Sequence, residues 1–373
     1  MGWDRVIGQE RVKELLRRTI AGRKIAHAFL FTGGEGVGKE AMAIEFARVL
    51  NCASQGSEAC GSCASCKKAD ALQHPNIRLI VPLPVGKAEK AGDDPLKGLT
   101  EDQVVAVQEQ FAQKARNPYH RMTIPKANFI KVNSIRDIRR EAALSAFEGG
   151  KRVFIITPAD AMNAEASNSL LKTLEEPPSD SVFILVASQK ELLLQTILSR
   201  CQQVQFDPLG EEEIRRALIE RYSVDEKQAS LIARLANGSF TAALELLSSD
   251  LLTERQGVVQ FLRIVLSGQR VALASTIENI IGGGDRVAMT RWLRMLHMWL
   301  RDALVLREHG EDGVLNVDHS TDLKSFISKF PSADLVTAME SVERSIALVD
   351  KNVYLPLVLT GLAIDLRRSL SST

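Results

Sequence analysis

The chain has 373 residues, with 47 basic and 46 acidic side chains for a net charge of +1, and is 45% hydrophobic and 25% charged. That length asks for two or three domains rather than one core, and the balanced charge excludes a strongly basic protein that grips nucleic acid unaided. Any DNA contact would need a local basic patch or a partner's surface.

The opening residues, MGWDRVIGQE, are charged and lack the apolar run of a signal peptide. No stretch of about 18 uncharged apolar residues offers a membrane span. Five cysteines, four of them within residues 52–66, do not form a secreted disulfide framework in a chain this long. A cytoplasmic protein is expected.

Apolar positions at helical spacing (Val12, Leu15, Leu16, Ile20) predict a helix over 9–21. HAFLFTGGEGVGKEAMAIEFARVL then reads as a strand over 28–32, a glycine-rich turn and a helix. Further buried strands are predicted at 77–82, 152–157, 181–187 and 203–206, with helical patterns between them, one over 190–198. This is the rhythm of a parallel sheet covered on both faces. Residues 83–127 interrupt it as an insertion, whose helix has a capping box from Thr100 to Gln103 and a stripe of Val104, Val107 and Phe111.

After Pro208 the strand signals stop, and 211–248 suggests three short helices. From about 251 the chain reads as helical. Asp285 is placed to cap a helix with the inner stripe Met289, Trp292, Leu296, Trp299, Leu300 and Ala303. Two more stripes run Leu335, Met339, Val342, Ile346, Val349 and Leu355, Val358, Leu362, Leu366. Such Trp and Met stripes are helical core.

Two motifs carry chemistry. Gly33-Gly34-Glu35-Gly36-Val37-Gly38-Lys39 fits a phosphate loop, in which glycines let backbone N–H groups turn inward and the lysine adds a charge for phosphates. Its next position should be Ser or Thr, whose hydroxyl holds Mg²⁺, but here it is Glu40. The strand Val153-Phe154-Ile155-Ile156 should end in an acid that holds the metal; it continues instead to Thr157 and Pro158, with the first acid at Asp160. The loop Gly33, Gly36, Gly38 and Lys39 is thus read as a relic or a weak nucleotide site, and ATP as a doubtful ligand. The second motif, Cys52-x₇-Cys60-x₂-Cys63-x₂-Cys66, fits a closed tetrahedral structural zinc site. Free thiols, another metal or a redox pair are the alternatives, His74 is a weaker competing ligand, and Cys201 stands apart as a packed thiol.

Several segments together resemble the AAA+ subunits of bacterial sliding-clamp loaders: WDRVIGQERVKELL, HAFLFTGGEGVGKE, ASNSLLKTLEEPPSDSVFILVAS (166–188) and LLLQTILSRCQQVQF (192–206). The resemblance covers about 1–82 and 128–250. It implies an AAA+ α/β domain over 1–207, carrying a zinc module (about 51–70) and the insertion, then a helical lid over 208–250 and a helical collar over 251–373. Four-cysteine modules occur at this place in the family.

Within the family, Glu40, Thr157, Pro158 and the lack of a sensor arginine near Thr241 point to the non-hydrolysing, delta-prime-like branch rather than the ATP-hydrolysing gamma/tau-like one. The Ser199-Arg200-Cys201 triplet makes Arg200 an arginine finger acting in trans on a neighbour's ATP. The implied partners are the loader ATPase subunits, the delta subunit, the sliding clamp and primer–template DNA, in a hetero-oligomeric ring. The rival readings are an active P-loop ATPase subunit and a stand-alone zinc-bearing DNA-binding protein.

Overall fold

Five parallel strands form one sheet in the order β2-β3-β4-β1-β5. They are β1 (Ala28–Thr32), β2 (Ile77–Ile80), β3 (Arg152–Ile156), β4 (Ser181–Ala187) and β5 (Gln202–Gln205). The computed structural model describes residues 3–86, 89–90, 92–142, 150–248, 251–282, 286–310, 314 and 320–371. The chain divides into two units, residues 1–229 with 236–244, and residues 230–235 with 245–373.

In the first unit the strands follow the apolar runs. Every residue of β1 and β4 is buried, which is why neither shows polar alternation. Phe154 of β3 stacks on Phe183 of β4 with ring centroids 5.4 Å apart, and Phe29 meets Phe46 edge-on at 5.3 Å. Each such fully buried side chain contributes about 1.5–3 kcal/mol. β5 buries only Val204 among its own residues and is an edge strand.

Helix α1 (Glu10–Ala21) precedes the sheet, and α2 (Lys39–Leu50), α3 (Ala64–Asp70), α4 (Glu101–Arg116), α5 (Val132–Ala142), α6 (Ala164–Glu175) and α7 (Gln195–Leu198) lie between its strands. The capping box of α4 is present, with Thr100 N–H donating to Gln103 Oε1 at 2.9 Å. The helix expected over 190–198 is corrected: a 3-10 turn spans Lys190–Leu192 and α7 is a single turn. Leu193 and Ile197 are buried while Leu192 and Leu194 point outward, so the segment is shaped by two anchors rather than a continuous face. The backbone N–H groups of Ser188 and Gln189 are also tied to Asp160, fixing where it leaves β4.

Beyond the sheet come α8 (Glu211–Tyr222), α9 (Glu226–Leu235) and α10 (Phe240–Ser248), the three short helices expected. The second unit is built around α11 (Leu251–Ser267), α12 (Arg270–Ile281), α13 (Arg286–His309), α14 (Ser320–Lys329), α15 (Leu335–Asp350) and α16 (Leu355–Leu370). The Trp292, Leu296, Trp299 and Leu300 stripe of α13 is buried, and Trp299 meets Phe326 edge-on at 5.1 Å. Asp285, expected as a cap, lies outside the described residues. Among the described residues no helix is long and apolar enough to cross a membrane.

Candidate phosphate loop and metal centre

β1 lies between β4 and β5, and the chain leaves β1 and its neighbour β4 in opposite directions across the sheet. The crevice at the carboxyl ends of such a strand pair is where parallel α/β sheets take their ligands. The loop of Gly33, Gly36, Gly38 and Lys39 is at that end and runs straight into α2. Its glycines are demanded by geometry. Gly36 has φ +74°, and a Cβ there would lie 2.0 Å from Ser239 Oγ. Gly38 has φ +100°, and its Cβ would press on the Tyr119 hydroxyl at 3.0 Å.

Lys39 is buried, and its ammonium bonds back onto the loop, donating to Gly33 O at 2.7 Å, to Gly34 O, and to Ser188 Oγ at 3.2 Å. Burial pulls its pKa down to about 8, against the opposing pull of Glu40, Glu35 and Asp160. The two positions that depart from a hydrolytic loop touch each other. Thr157 Oγ1 donates to Glu40 Oε1 at 2.6 Å, and the other Glu40 oxygen pairs with Lys114 Nζ. Burial pushes the Glu40 carboxyl up, but Lys114, Thr157 and Lys39 outweigh it and hold the pKa below its ordinary value. Asp160 Oδ2 accepts the N–H groups of Ser188 (3.0 Å) and Gln189 (2.8 Å), and its Oδ1 is buried without a hydrogen-bond partner.

A cavity of about 600 Å³ opens between the loop and residues 118–128 of the insertion and its end. Glu40, Lys114, Thr157 and Ser188 line it, as does Thr241, whose hydroxyl donates to Tyr119 O at 2.8 Å. The phenol oxygen of Tyr119 in turn accepts the Ile7 N–H at 2.8 Å. Sequence reasoning missed Lys114 and Tyr119. The signal for Lys114 was there: it continues the Val104, Val107, Phe111 stripe at helical spacing, a lysine on a buried face.

At the other end of α2 the four cysteines converge. The Sγ atoms of Cys52, Cys60, Cys63 and Cys66 all lie within 4.8 Å of one another. Tetrahedral zinc with Zn–S near 2.3 Å sets sulfur separations of about 3.8 Å, and Cys60 Sγ to Cys66 Sγ is 4.0 Å. Cys63 caps α3 by accepting the Cys66 N–H at 3.4 Å, and Cys52 accepts the Cys60 N–H at 3.2 Å. Such N–H···S bonds are the support a thiolate ligand needs. Four soft donors with backbone support fit a closed metal centre, with Cys52 and Cys66 buried beneath it.

His74 is no competitor: Nε2 is 2.9 Å from Ser65 Oγ and Nδ1 accepts the Asn76 N–H at 3.1 Å. Cys201 is a packed thiol in the sheet core, its pKa pushed up by burial to about 12.

Arg200 follows α7 and does not line the loop cavity. Its guanidinium donates to Glu175 Oε1 at 2.9 Å and to Thr196 O at 3.0 Å, and the side chain keeps 34% of its exposure. Glu175, the first acid of the Glu-Glu-Pro-Pro run, is thus its partner within the chain.

The chain matches the family described as "DNA polymerase III, delta subunit" over residues 8–210. The DNA polymerase III subunit delta' of Bacillus subtilis is 30% identical over 320 residues, covering 85% of this chain and 83% of that protein. The Escherichia coli subunit delta' is 28% identical over 294 residues, covering 78% and 73%. The Bacillus subtilis subunit tau is 29% identical over 248 residues, covering 65% of this chain but 36% of its own length.

Proposed function

This chain belongs to the DNA polymerase III delta-subunit family, and from that premise we propose that it is a non-hydrolysing, delta-prime-like AAA+ subunit of a bacterial sliding-clamp loader. The observation that carries the silent site is the contact between Glu40 and Thr157. Hydrolysis needs a hydroxyl after the loop lysine and a carboxylate after β3 to hold Mg²⁺, with a base to orient water. Here a carboxylate (Glu40) follows the lysine and a hydroxyl (Thr157) follows β3, the two bond each other, and Asp160 caps a turn. What remains is a phosphate loop kept for its fold.

Arg200 is the residue proposed to act. In ring ATPases nucleotide lies between subunits, and a neighbour's arginine meets the charge that develops on the γ-phosphate. Its fork of donors suits phosphate oxygens as well as carboxylate, so the bond to Glu175 would be exchanged for one to a neighbour's nucleotide. The remaining assignments rest on the family: lid over 208–250, collar over 251–373, and a cytoplasmic hetero-oligomeric ring. Its partners are the gamma/tau-like ATPase subunits, the delta subunit, the sliding clamp and primer–template DNA. Zinc is proposed at Cys52, Cys60, Cys63 and Cys66.

The test is reconstitution with a loader ATPase subunit and the delta subunit. Arg200→Ala and Arg200→Lys are expected to assemble normally and to depress clamp- and DNA-stimulated ATPase alike. Wild-type stimulated turnover from assembled Arg200→Ala rings would reduce Arg200 to a surface residue.

A further inference from the structure

Lys114 belongs to the insertion, yet its ammonium reaches the phosphate loop. The side chain is only 2% exposed, on the same face of α4 that buries Val107. Nζ pairs with Glu40 and donates to His120 O at 2.8 Å. A buried ammonium is tolerated only where such acceptors meet it, so the two partners account for its position.

Glu40 and Thr157 have a second relation. A hydrolytic loop places a hydroxyl on the helix after the lysine and a carboxylate after β3, with a cation between them. This chain has the same two groups exchanged: the carboxylate on α2, the hydroxyl after β3, 2.6 Å apart. One carboxylate, one hydroxyl and one cation are all present, and the cation is a side chain.

Resting on the non-hydrolysing reading above, we propose that the Lys114 ammonium is a built-in cation for the exchanged Glu40–Thr157 pair, through which the insertion ties down the phosphate loop and makes its fold independent of divalent metal. The rest of the insertion acts in the same direction. Arg121 Nη2 lies 3.2 Å from Glu35 on the loop, Tyr119 O receives the Thr241 hydroxyl, and the Tyr119 phenol abuts Gly38.

The test uses the full chain and no nucleotide, so it is blind to whether the wild type turns over ATP; failure of that reading would be seen in an ATPase assay instead. Thermal unfolding is followed for wild type, Lys114→Met, Glu40→Gln and Glu40→Gln/Lys114→Met, each with and without millimolar Mn²⁺. Lys114→Met leaves Glu40, whose side chain keeps 33% of its exposure, with Thr157 as its remaining partner, so the variant should unfold about 3–5 °C lower. Adding Glu40→Gln should recover most of that loss, and Mn²⁺ should raise the midpoint of Lys114→Met while leaving wild type and the double variant unmoved. If Lys114→Met fails to fold, recovery of folding in the double variant supports the same conclusion. The proposal is overturned if Lys114→Met is as stable as wild type, if Glu40→Gln restores nothing, or if Mn²⁺ acts equally on all variants.

Discussion

The two ends of α2 carry the two motifs that the sequence singles out, and the two differ in how completely they match. At the carboxyl end, beyond Leu50, all four cysteines remain and their sulfurs gather within 4.8 Å. At the amino end the glycines and Lys39 fit the pattern, but the positions that would hold a metal are Glu40 and Thr157, which bond each other. Four thiols brought this close fit a closed metal centre, so their spacing bears directly on a role. A phosphate loop also shapes the turn from β1 into α2, so its glycines serve packing whether or not the loop does chemistry. Presence of a motif is therefore strong evidence at one end and weak at the other. What decides the second case is the residues just outside the glycine pattern.

The largest expected effect is at the thiol end. Protein purified without added metal should contain one zinc per chain, and Cys63→Ser should lose it. Structural zinc contributes on the order of 10 kcal/mol in small modules, so residues 51–70 should exchange their amide hydrogens far faster while α13 is unchanged. Metal content near zero in the wild type, with all four thiols freely titratable, would remove the contrast between the two ends.

Arg200 comes next. An arginine finger is worth about 10³–10⁵ in rate at its own interface, and a whole ring should show less because other interfaces keep theirs. Arg200→Lys should be nearly as defective as Arg200→Ala, since lysine lacks the fork of donors, one arm of which now meets Glu175 and the other Thr196 O. Glu175→Ala should spare assembly and leave stimulated ATPase intact or raised, which reconstituted turnover would measure.

A smaller effect tests whether the loop is retained for its shape. Gly36→Ala needs a left-handed backbone and a Cβ 2.0 Å from Ser239 Oγ, so it should lower stability by roughly 1–3 kcal/mol in denaturant unfolding, without any nucleotide present. A neutral result would mean that the loop can shift at no cost.

The smallest is a pH effect. The folded Glu40 pKa is held below the ordinary 4.5, despite burial, by Lys114, Thr157 and Lys39. The stability it contributes is fully present above 4.5 and is lost as pH falls through the depressed value. Acid unfolding curves should therefore fall more gently for Glu40→Gln than for wild type below that pH, and coincident slopes would mean that Glu40 is not held charged by its neighbours.

Much of this was legible from residues alone, and the exceptions have physical causes. β1, β3 and β4 stood out because a strand covered on both faces reads as an unbroken apolar run. The capping box at Thr100 and the stripes of α13 and α16 were equally plain, being local periodicities. The segment after β4 was misread as one helix because Leu192 to Leu194 supplied apolar residues without a shared buried face. At the site, the loop and the thiols lie close in sequence and were found. Lys114 acts 74 residues from Glu40, and Tyr119 acts 112 residues from Ile7. Such pairings are set by the topology of the sheet and the return of the insertion, which no local pattern encodes. Arg200 was visible, but its partner Glu175 was not, because the two are brought together only by the packing of α6 beside α7.

A loop kept without its chemistry is tested most directly by steady-state ATP turnover of the isolated chain. With Mg²⁺ and saturating ATP, wild type and Lys39→Ala should give the same rate, indistinguishable from buffer. A Mg²⁺-dependent rate in the wild type well above the Lys39→Ala control would contradict the account, because it would show that Glu40 and Thr157 can still serve a metal and its water.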